Sequence, residues 1–517
     1  MKLKKFPLVW LMLLLTYSIV AQNETLNVLV FSKTQAFRHK SIPKGQEALK
    51  KLGTENKWKL TFSEDASDFN ENLYQYDVLV FLNTSGDLFN DEQKKFFQNF
   101  IARGKGFVGI HAASDTEKNW PWYSAMIGAV FSNHPKIQQA TLTTTLPYAQ
   151  FMTTDYKTRK TTDEWYNFKE AVKPYVTVLT HIDEKSYTGG NMNGNHPITW
   201  FHHYDGGRIF YTGLGHRDEQ YDDTIFLKEI KTGILWAGGK IADPKPSTKP
   251  TSLLTENLND HWAVFIGCPH ATVQNLAHVD PKSNGKTGEP LGLNNDPKQV
   301  YKIIQEGKEN ILHISGEIFG ALTTKLEYEN YHLRLQFKWG KQVWEPRLTL
   351  PKDNGILYHA NGPYRTFWNV WMQSHEFQVQ KNDMGDFYAL GGVKATIASV
   401  PVNDGKQLGY SKTGQKNDFM SSAKSPYNSA KRGFDNENTE GEWNTLDLYC
   451  LGDKSIHVVN GKVVMVLENL KRITPDKKEI PVTKGLIQIQ SEAAEAFYKD
   501  IQIQSISAFP RNILKQL

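Results

Sequence analysis

Ile241-Ala242-Asp243-Pro244-Lys245-Pro246-Ser247-Thr248-Lys249-Pro250 divides the chain. Three prolines among Ser, Thr and Lys predict a stiff, solvated connector that no core would hold, and residues 241–252 are read as that linker. The segments on its two sides follow different rules. Before it, Val28-Leu29-Val30-Phe31 and Val78–Leu82 are continuous apolar runs, as strands buried on both faces of a parallel sheet require. Asn90-Asp91-Glu92-Gln93 offers an N-cap with its capping-box Gln, and Gly104 suits the C′ position. Phe96, Phe97, Phe100 and Ile101 form one apolar helix face between them, and Gly106-Phe107-Val108-Gly109-Ile110 is the next buried strand. The alternation predicts a doubly wound α/β domain over residues 22–240, with any site at the C-terminal strand ends.

After the connector the period changes to two. Tyr331-His332-Leu333-Arg334-Leu335-Gln336-Phe337-Lys338, Glu376-Phe377-Gln378-Val379-Gln380 and Ile487-Gln488-Ile489-Gln490 alternate strictly. Asn460-Gly461, between two Val-rich runs, is a two-residue hairpin signal. Residues 253–517 therefore read as an antiparallel β-sandwich of jelly-roll or concanavalin-like kind, with 411–431 a long polar surface loop.

Composition bounds the function classes. With 39% hydrophobic and 12% aromatic residues the chain builds real cores, and a net charge of +5 over 517 residues does not make nucleic acid its partner. Lys2, Lys4 and Lys5 precede an apolar run, residues 8–20, that ends at Ala21. This describes a signal peptide, residues 1–21, too short for the ~18 or more apolar residues of a membrane span. The expectation is an exported protein, periplasmic or secreted, with no stable membrane insertion after cleavage. Cys268 and Cys450 are no disulfide framework, although one pairing in an oxidising compartment stays open. The 27 Phe, 22 Tyr and 13 Trp serve β structure, sugar stacking or both.

In the first half, polar residues gather where strands should end: Arg38 and His39, His111 and Asp115, Glu164, and several histidines up to His216. Phe37-Arg38-His39, Gly109-Ile110-His111-Ala112-Ala113-Ser114-Asp115 and Arg208-Ile209-Phe210-Tyr211-Thr212-Gly213-Leu214-Gly215-His216 resemble the ThuA-like (trehalose utilisation) family. The resemblance implies a fold like that of class I glutamine amidotransferases. Those relatives place a nucleophilic Cys on the strand-to-helix turn, where this chain has His111 and no Cys nearby, so glutaminase chemistry is excluded. What remains is a pocket of His39, His111, Asp115, Glu164 and His216. It suits a sugar or a divalent metal, the alternative being an inactive scaffold whose histidines cap strands.

In the sandwich, alternation sends Leu333, Leu335, Phe337, Phe377 and Val379 inward. Arg334, Gln336, Ser374, Glu376, Gln378 and Gln380 go outward, either as a sugar-binding groove with Trp368, Trp371 and Tyr388 as platforms or as a plain solvent face. Leu326-Glu327-Tyr328-Glu329-Asn330-Tyr331-His332-Leu333-Arg334, Asn354-Gly355-Ile356-Leu357-Tyr358-His359, Glu376-Phe377-Gln378-Val379-Gln380, Gly385-Asp386 and Gly441-Glu442-Trp443-Asn444 resemble the 3-keto-disaccharide hydrolase family. Gln336 departs from it, since an acidic residue often stands there.

The resemblance implies an enzyme that processes 3-keto-glycosides as a hydrolase or lyase, with a small oligosaccharide or glycoside as partner. A base abstracts the C2 proton, an electrophile steadies the enolate, and an acid protonates the leaving oxygen. Glu376 is read as base, with His359 or Asp386 as acid. Arg334, or a divalent metal at His359, would steady the enolate, while Gln336, Tyr358, Gln378, Asp383, Trp371 and Trp443 contact the sugar. Metal candidates across the chain are thus His39, His111 and His359. Two other readings stand beside this one: a non-catalytic carbohydrate-binding protein, and a metal-dependent enzyme centred on the ThuA-like half.

Overall fold

The protein is described by a computed structural model that covers residues 25–144, 157–244, 247–277, 279–421, 427–474 and 476–517. The expected leader lies outside the described residues. So do Lys245 and Pro246 of the connector and residues 422–426 of the expected loop.

Strands Lys59–Ser63, Asn27–Phe31, Val78–Leu82, Gly106–Ile110 and Gly207–Thr212 lie side by side and parallel. Their apolar runs are buried on both faces. Helices Ile42–Asn56 and Thr224–Ala237 pack with Val28, Val30, Val78 and Val80. Phe97, Phe100 and Ile101 of helix Asp91–Ala102 pack with Leu29, Phe31, Leu79 and Phe81 on the other. Asn90 and Gln93 form the capping box, and Gly104 follows the helix at φ +82°. The sheet continues antiparallel through Pro197–Tyr204, Thr177–Ile182, Gln138–Thr144 and Thr158–Asp163. The α/β expectation holds, but the doubly wound part is only the parallel half. The Asp205-Gly206 turn is far too short for the crossover a parallel pair needs.

Two antiparallel sheets make the rest. One is centred on Tyr331–Val343, Asn444–Leu451 and Ala494–Ser505, the other on Lys484–Ser491, Gly355–Asn361 and Gln373–Gln378. Leu333, Leu335 and Phe337 meet Ile356, Phe377, Ile487 and Ile489 in the core between them. The hairpin at Asn460-Gly461 forms with both residues at positive φ (48° and 80°), as a type I′ turn requires.

Two expectations are corrected here, and the open question of the cysteines is answered. Part of the 411–431 loop is strand, because Phe419 is fully buried and Gln415–Met420 pairs with Val393–Val402. The connector is not wholly solvated. Asp243 is buried, accepting from the Trp236 indole at 2.7 Å, from His203 at 2.9 Å and from the Glu327 backbone N–H at 2.6 Å. Cys268 and Cys450 are both free, Cys450 lying in the inter-sheet core where burial pushes its thiol up to about 12.

The two halves meet at the N-terminal ends of the parallel strands. Arg208, near the start of Gly207–Thr212, reaches Glu327 at 2.5 Å, and Lys325 donates to the carbonyls of Pro174 and Val176. Among the described residues no helix is long and apolar enough to cross a membrane.

Candidate functional site

At the opposite, C-terminal ends of the parallel strands stands the first cluster. Gly106–Ile110 ends in His111, which turns the chain at φ +48°, a left-handed conformation costing roughly 1–3 kcal/mol for a non-glycine residue. Its Nδ1–H donates to the Gly213 carbonyl at 2.8 Å, which leaves the Nε2 lone pair facing the cluster. Gly215, at φ +116°, gives its N–H to the buried Asp163 and delivers His216 beside it. Glu164 completes the set, 3.0 Å from His216 and 3.4 Å from His111. His39 closes it from a third loop, its ring 4.9 Å from His111 and 5.0 Å from His216.

One ligand atom from each of His39, His111, Glu164 and His216 falls within 4.8 Å of all the others. His39 Nδ1 and His111 Nε2 are buried without a hydrogen-bond partner. Burial and the neighbouring imidazoles drive His39 down to about 2, so it is neutral, with one ring nitrogen carrying a lone pair. Burial would raise Glu164, but His111 and His216 outweigh it and hold the carboxyl well below its usual range. Imidazoles around one carboxylate are a donor set for a divalent cation. His134, 3.0 Å from Glu164, also belongs here and was missed by sequence reasoning. Asp115 is adjacent but not a member, being paired with Lys118 at 2.6 Å. His203, Asp243 and Glu327 form a second grouping of ligand type, but they bond to one another and to Arg208 at the interface.

The second cluster lies on the outer face of the sheet that holds Gln373–Gln378. Cross-strand register places Glu376 opposite Tyr388 and brings Gln378 next to Asp386 on the same face. Segments before and after the strands cover it, and Glu376 is only 4% exposed. Arg347 binds Asp353 and Glu492 together with one guanidinium nitrogen, and Gln380 donates to Asp353 at 2.8 Å. Burial, with the charges of Asp353 and Glu492, pushes Glu376 well above the usual carboxylate range. Asp353 rises for the same reasons. A side chain at Gly355 would collide with the Glu376 and Gln490 oxygens, so glycine is needed to let those two groups converge.

At one end of this face Asp386, buried but bridged to Lys431 at 2.9 Å, is raised by burial to about 6. A cavity of about 410 Å³ opens there beside Asp383. Toward the other end Trp368 is half-buried against Phe319, Phe367 and Trp371, and Lys286 Nζ stands 3.3 Å from the centre of its ring. Burial depresses the Lys286 ammonium, with Glu492 and Asp353 near enough to oppose it.

The expected sandwich residues thus separate into three groups. Glu376, Gln378, Asp383, Asp386 and Trp371 share one side of the sheet. Trp371 is buried and supports the apolar end, its indole bonded to the Gly320 carbonyl. Tyr358 and His359 are placed elsewhere. A bulge at residues 358–361 leaves His359 in the interior beside Tyr331 and His375, and burial drives it to about 3. Tyr358 bonds to Ser455 and His457 of the opposite sheet. Neither reaches Glu376's side, which corrects their expected roles as acid, metal ligand and sugar contact. Arg334, Gln336 and Trp443 are corrected too. Arg334 pairs at 3.5 Å with Asp447 on the outside of the other sheet, and Lys338 and Lys499 cover the Trp443 ring there. Asp353 and Glu492 were missed although strand period reaches Glu492 from Gln488 and Gln490; Arg347 and Lys286 come from loops that no periodicity could place.

The family model described as trehalose utilisation (ThuA) matches residues 27–237, and that of the 3-keto-alpha-glucoside-1,2-lyase-like domain matches residues 282–504. No curated protein matches. Among solved structures, a ThuA-like protein of Bacteroides uniformis is 23% identical, covering 41% of this chain and 91% of that one with a TM-score of 0.36. A ThuA-like protein of Parabacteroides merdae is 18% identical (44% and 95% covered, TM-score 0.37). A candidate glycosyl hydrolase of Parabacteroides distasonis is 20% identical (40% and 91% covered, TM-score 0.25). Both family names are those of carbohydrate-related proteins. The chain carries a ThuA-like domain followed by a 3-keto-disaccharide hydrolase-like domain.

Proposed function

We propose that this is an exported carbohydrate-active enzyme that cleaves 3-keto-glycosides on the outer sheet face at Glu376. The observation that carries the reading is a buried carboxyl held at raised pKa among Asp353, Glu492 and Arg347, beside an aromatic end with a lysine. A 3-keto group acidifies the C2–H, and the carboxylate form of Glu376, a stronger base than an ordinary carboxylate, takes that proton. The C2–H electrons form the C1–C2 double bond as the C1–O bond breaks, and the leaving oxygen receives a proton from Asp386, whose pKa of about 6 suits an acid near neutrality. Water then adds its hydroxide to C1 and its proton to C2, so that elimination and hydration sum to hydrolysis. Lys286 replaces Arg334 as the donor that steadies the enolate oxygen, because it stands at this face and Arg334 does not. Diagonal neighbours across antiparallel strands lie about 7–8 Å apart, room for a sugar ring between Glu376 and Asp386. The test is turnover of a 3-keto-glucoside by Glu376→Gln. Loss of cleavage with retained sugar binding is expected; undiminished cleavage refutes the assignment, and binding without cleavage by the parent chain favours a carbohydrate-binding protein.

A second site is supported by the orphaned lone pairs of His39 and His111. In this reading His39, His111, Glu164 and His216 hold a divalent cation, which when bound polarises a sugar carbonyl or hydroxyl. Tyr166, its ring 4.1 Å from His111, fixes that imidazole, and Asp163 fixes the loop that carries His216. Metal analysis of the purified chain before and after a chelator tests it; a chain that takes up no divalent cation rules it out.

A further inference from the structure

A cavity of about 790 Å³ opens where the two halves meet, at the N-terminal strand ends and remote from the histidine cluster. That volume is within the roughly 300–1,000 Å³ of small-molecule sites, which favour domain interfaces. Both halves supply its wall, and its charge is uneven: five basic side chains against Asp77 and Glu327. Lys105 is neutralised by Asp77 at 3.1 Å, while Arg208 and Lys484 share Glu327 at 2.5 and 3.4 Å. Arg472 forms no ion pair with a described residue, although it is half-buried and Glu327 is the one acid whose field reaches it. Burial lowers its pKa by more than Glu327 raises it. Gly239 and Gly362 also line the cavity, and a Cβ at either would meet nothing within 4 Å, so the wall there is bare backbone open to a ligand.

We propose that this cleft binds a small anionic molecule, carrying a carboxylate or a phosphate, whose charge completes the pairing of Arg472. Burying an unpaired guanidinium is unfavourable, and a carboxylate or a phosphate supplies both the charge and the two-pronged hydrogen bonding that arginine favours. Neutral sugar would leave the positive excess uncompensated, and a metal cation would add to it. Since both halves line the cleft, the ligand would also hold them together, and it would do so away from either candidate catalytic cluster.

The experiment is calorimetric titration and thermal unfolding of the full chain with inorganic phosphate, glucuronate and glucose at constant ionic strength. At least one anion is expected to bind near one per chain and raise Tm, with glucose inert. The two anion arms separate phosphate from carboxylate recognition. Arg472→Gln should weaken that binding at least about tenfold, the loss of one charge-assisted pair, and should raise Tm without anion by removing the unpaired charge. Arg334→Gln, on the far sheet, should leave the anion response unchanged. The proposal is overturned if no anion binds, if glucose binds equally, or if the response survives Arg472→Gln. It is also overturned if that variant merely lowers Tm, as loss of a structural arginine would.

Discussion

The two buried polar clusters solve the same problem with different particles. At the α/β strand ends, three imidazoles and His134 surround Glu164, and the buried His39 Nδ1 and His111 Nε2 are among the ring nitrogens without a hydrogen-bond partner. Around Glu376, three carboxylates share one arginine, and burial raises two of them so that protons replace the missing cations. Imidazoles can be buried neutral with a lone pair exposed, which is what a metal requires. Carboxylates buried together instead become proton carriers, which is what elimination requires. The clusters are also apart: the sandwich docks at the N-terminal ends of the parallel strands, and the strand Gly106–Ile110, five residues at about 3.3 Å each, runs from that end to His111.

The largest expected effect breaks that symmetry in both directions. Glu376→Gln should lower kcat on a 3-keto-glucoside by about 10²–10⁴-fold while leaving the metal content of the chain unchanged. Paired replacement of His39 and His111 by Ala should empty the metal site, read by elemental analysis, while cleavage at Glu376 persists. If the histidine variant loses cleavage as well, the two clusters act as one and their separation has no functional meaning.

Trp368→Ala should have a smaller effect, confined to binding. The ring is stacked with Phe319 and Phe367 and carries Lys286 above it. Losing an aromatic platform worth about 0.5–1.5 kcal/mol should raise KM roughly three- to tenfold with kcat little altered. A fall in kcat instead would mean that Trp368 acts by placing Lys286, and steady-state kinetics distinguishes the two.

How much of this was legible in the sequence differs between the same two regions. At the α/β site each ligand follows a strand or sits in a short motif, so Phe37-Arg38-His39 and Gly213-Leu214-Gly215-His216 announced their positions, and strand order did the rest. His134 lies outside any such pattern and reaches Glu164 only through the fold. In the sandwich, period two placed Glu376 and Gln378 correctly on one face. It could not tell the outer face of one sheet from that of the other, which is why Arg334 and Gln336 were grouped with them. Nor could it foresee the bulge that takes His359 inward, since one extra residue reverses the facing of a side chain. Arg347 and Lys286 enter from loops, where no period exists to be read.

The smallest expected effect tests whether the carboxylate side really is a store of protons. Asp386 stays protonated in the folded chain up to about pH 6, because burial outweighs Lys431. An unfolded aspartate ionises near 3.9. With the folded value the higher, its contribution to stability is complete below about pH 4 and is lost as the pH rises through about 6. Asn cannot ionise in either state and can still accept from the Arg432 N–H that now bonds Asp386 at 2.8 Å. Asp386→Asn should therefore be more stable than the parent at pH 8, by about 1–3 kcal/mol, and match it near pH 4 in denaturant titrations. A gap that does not close on acidification would show that the ion pair with Lys431, rather than the proton, governs this end of the site.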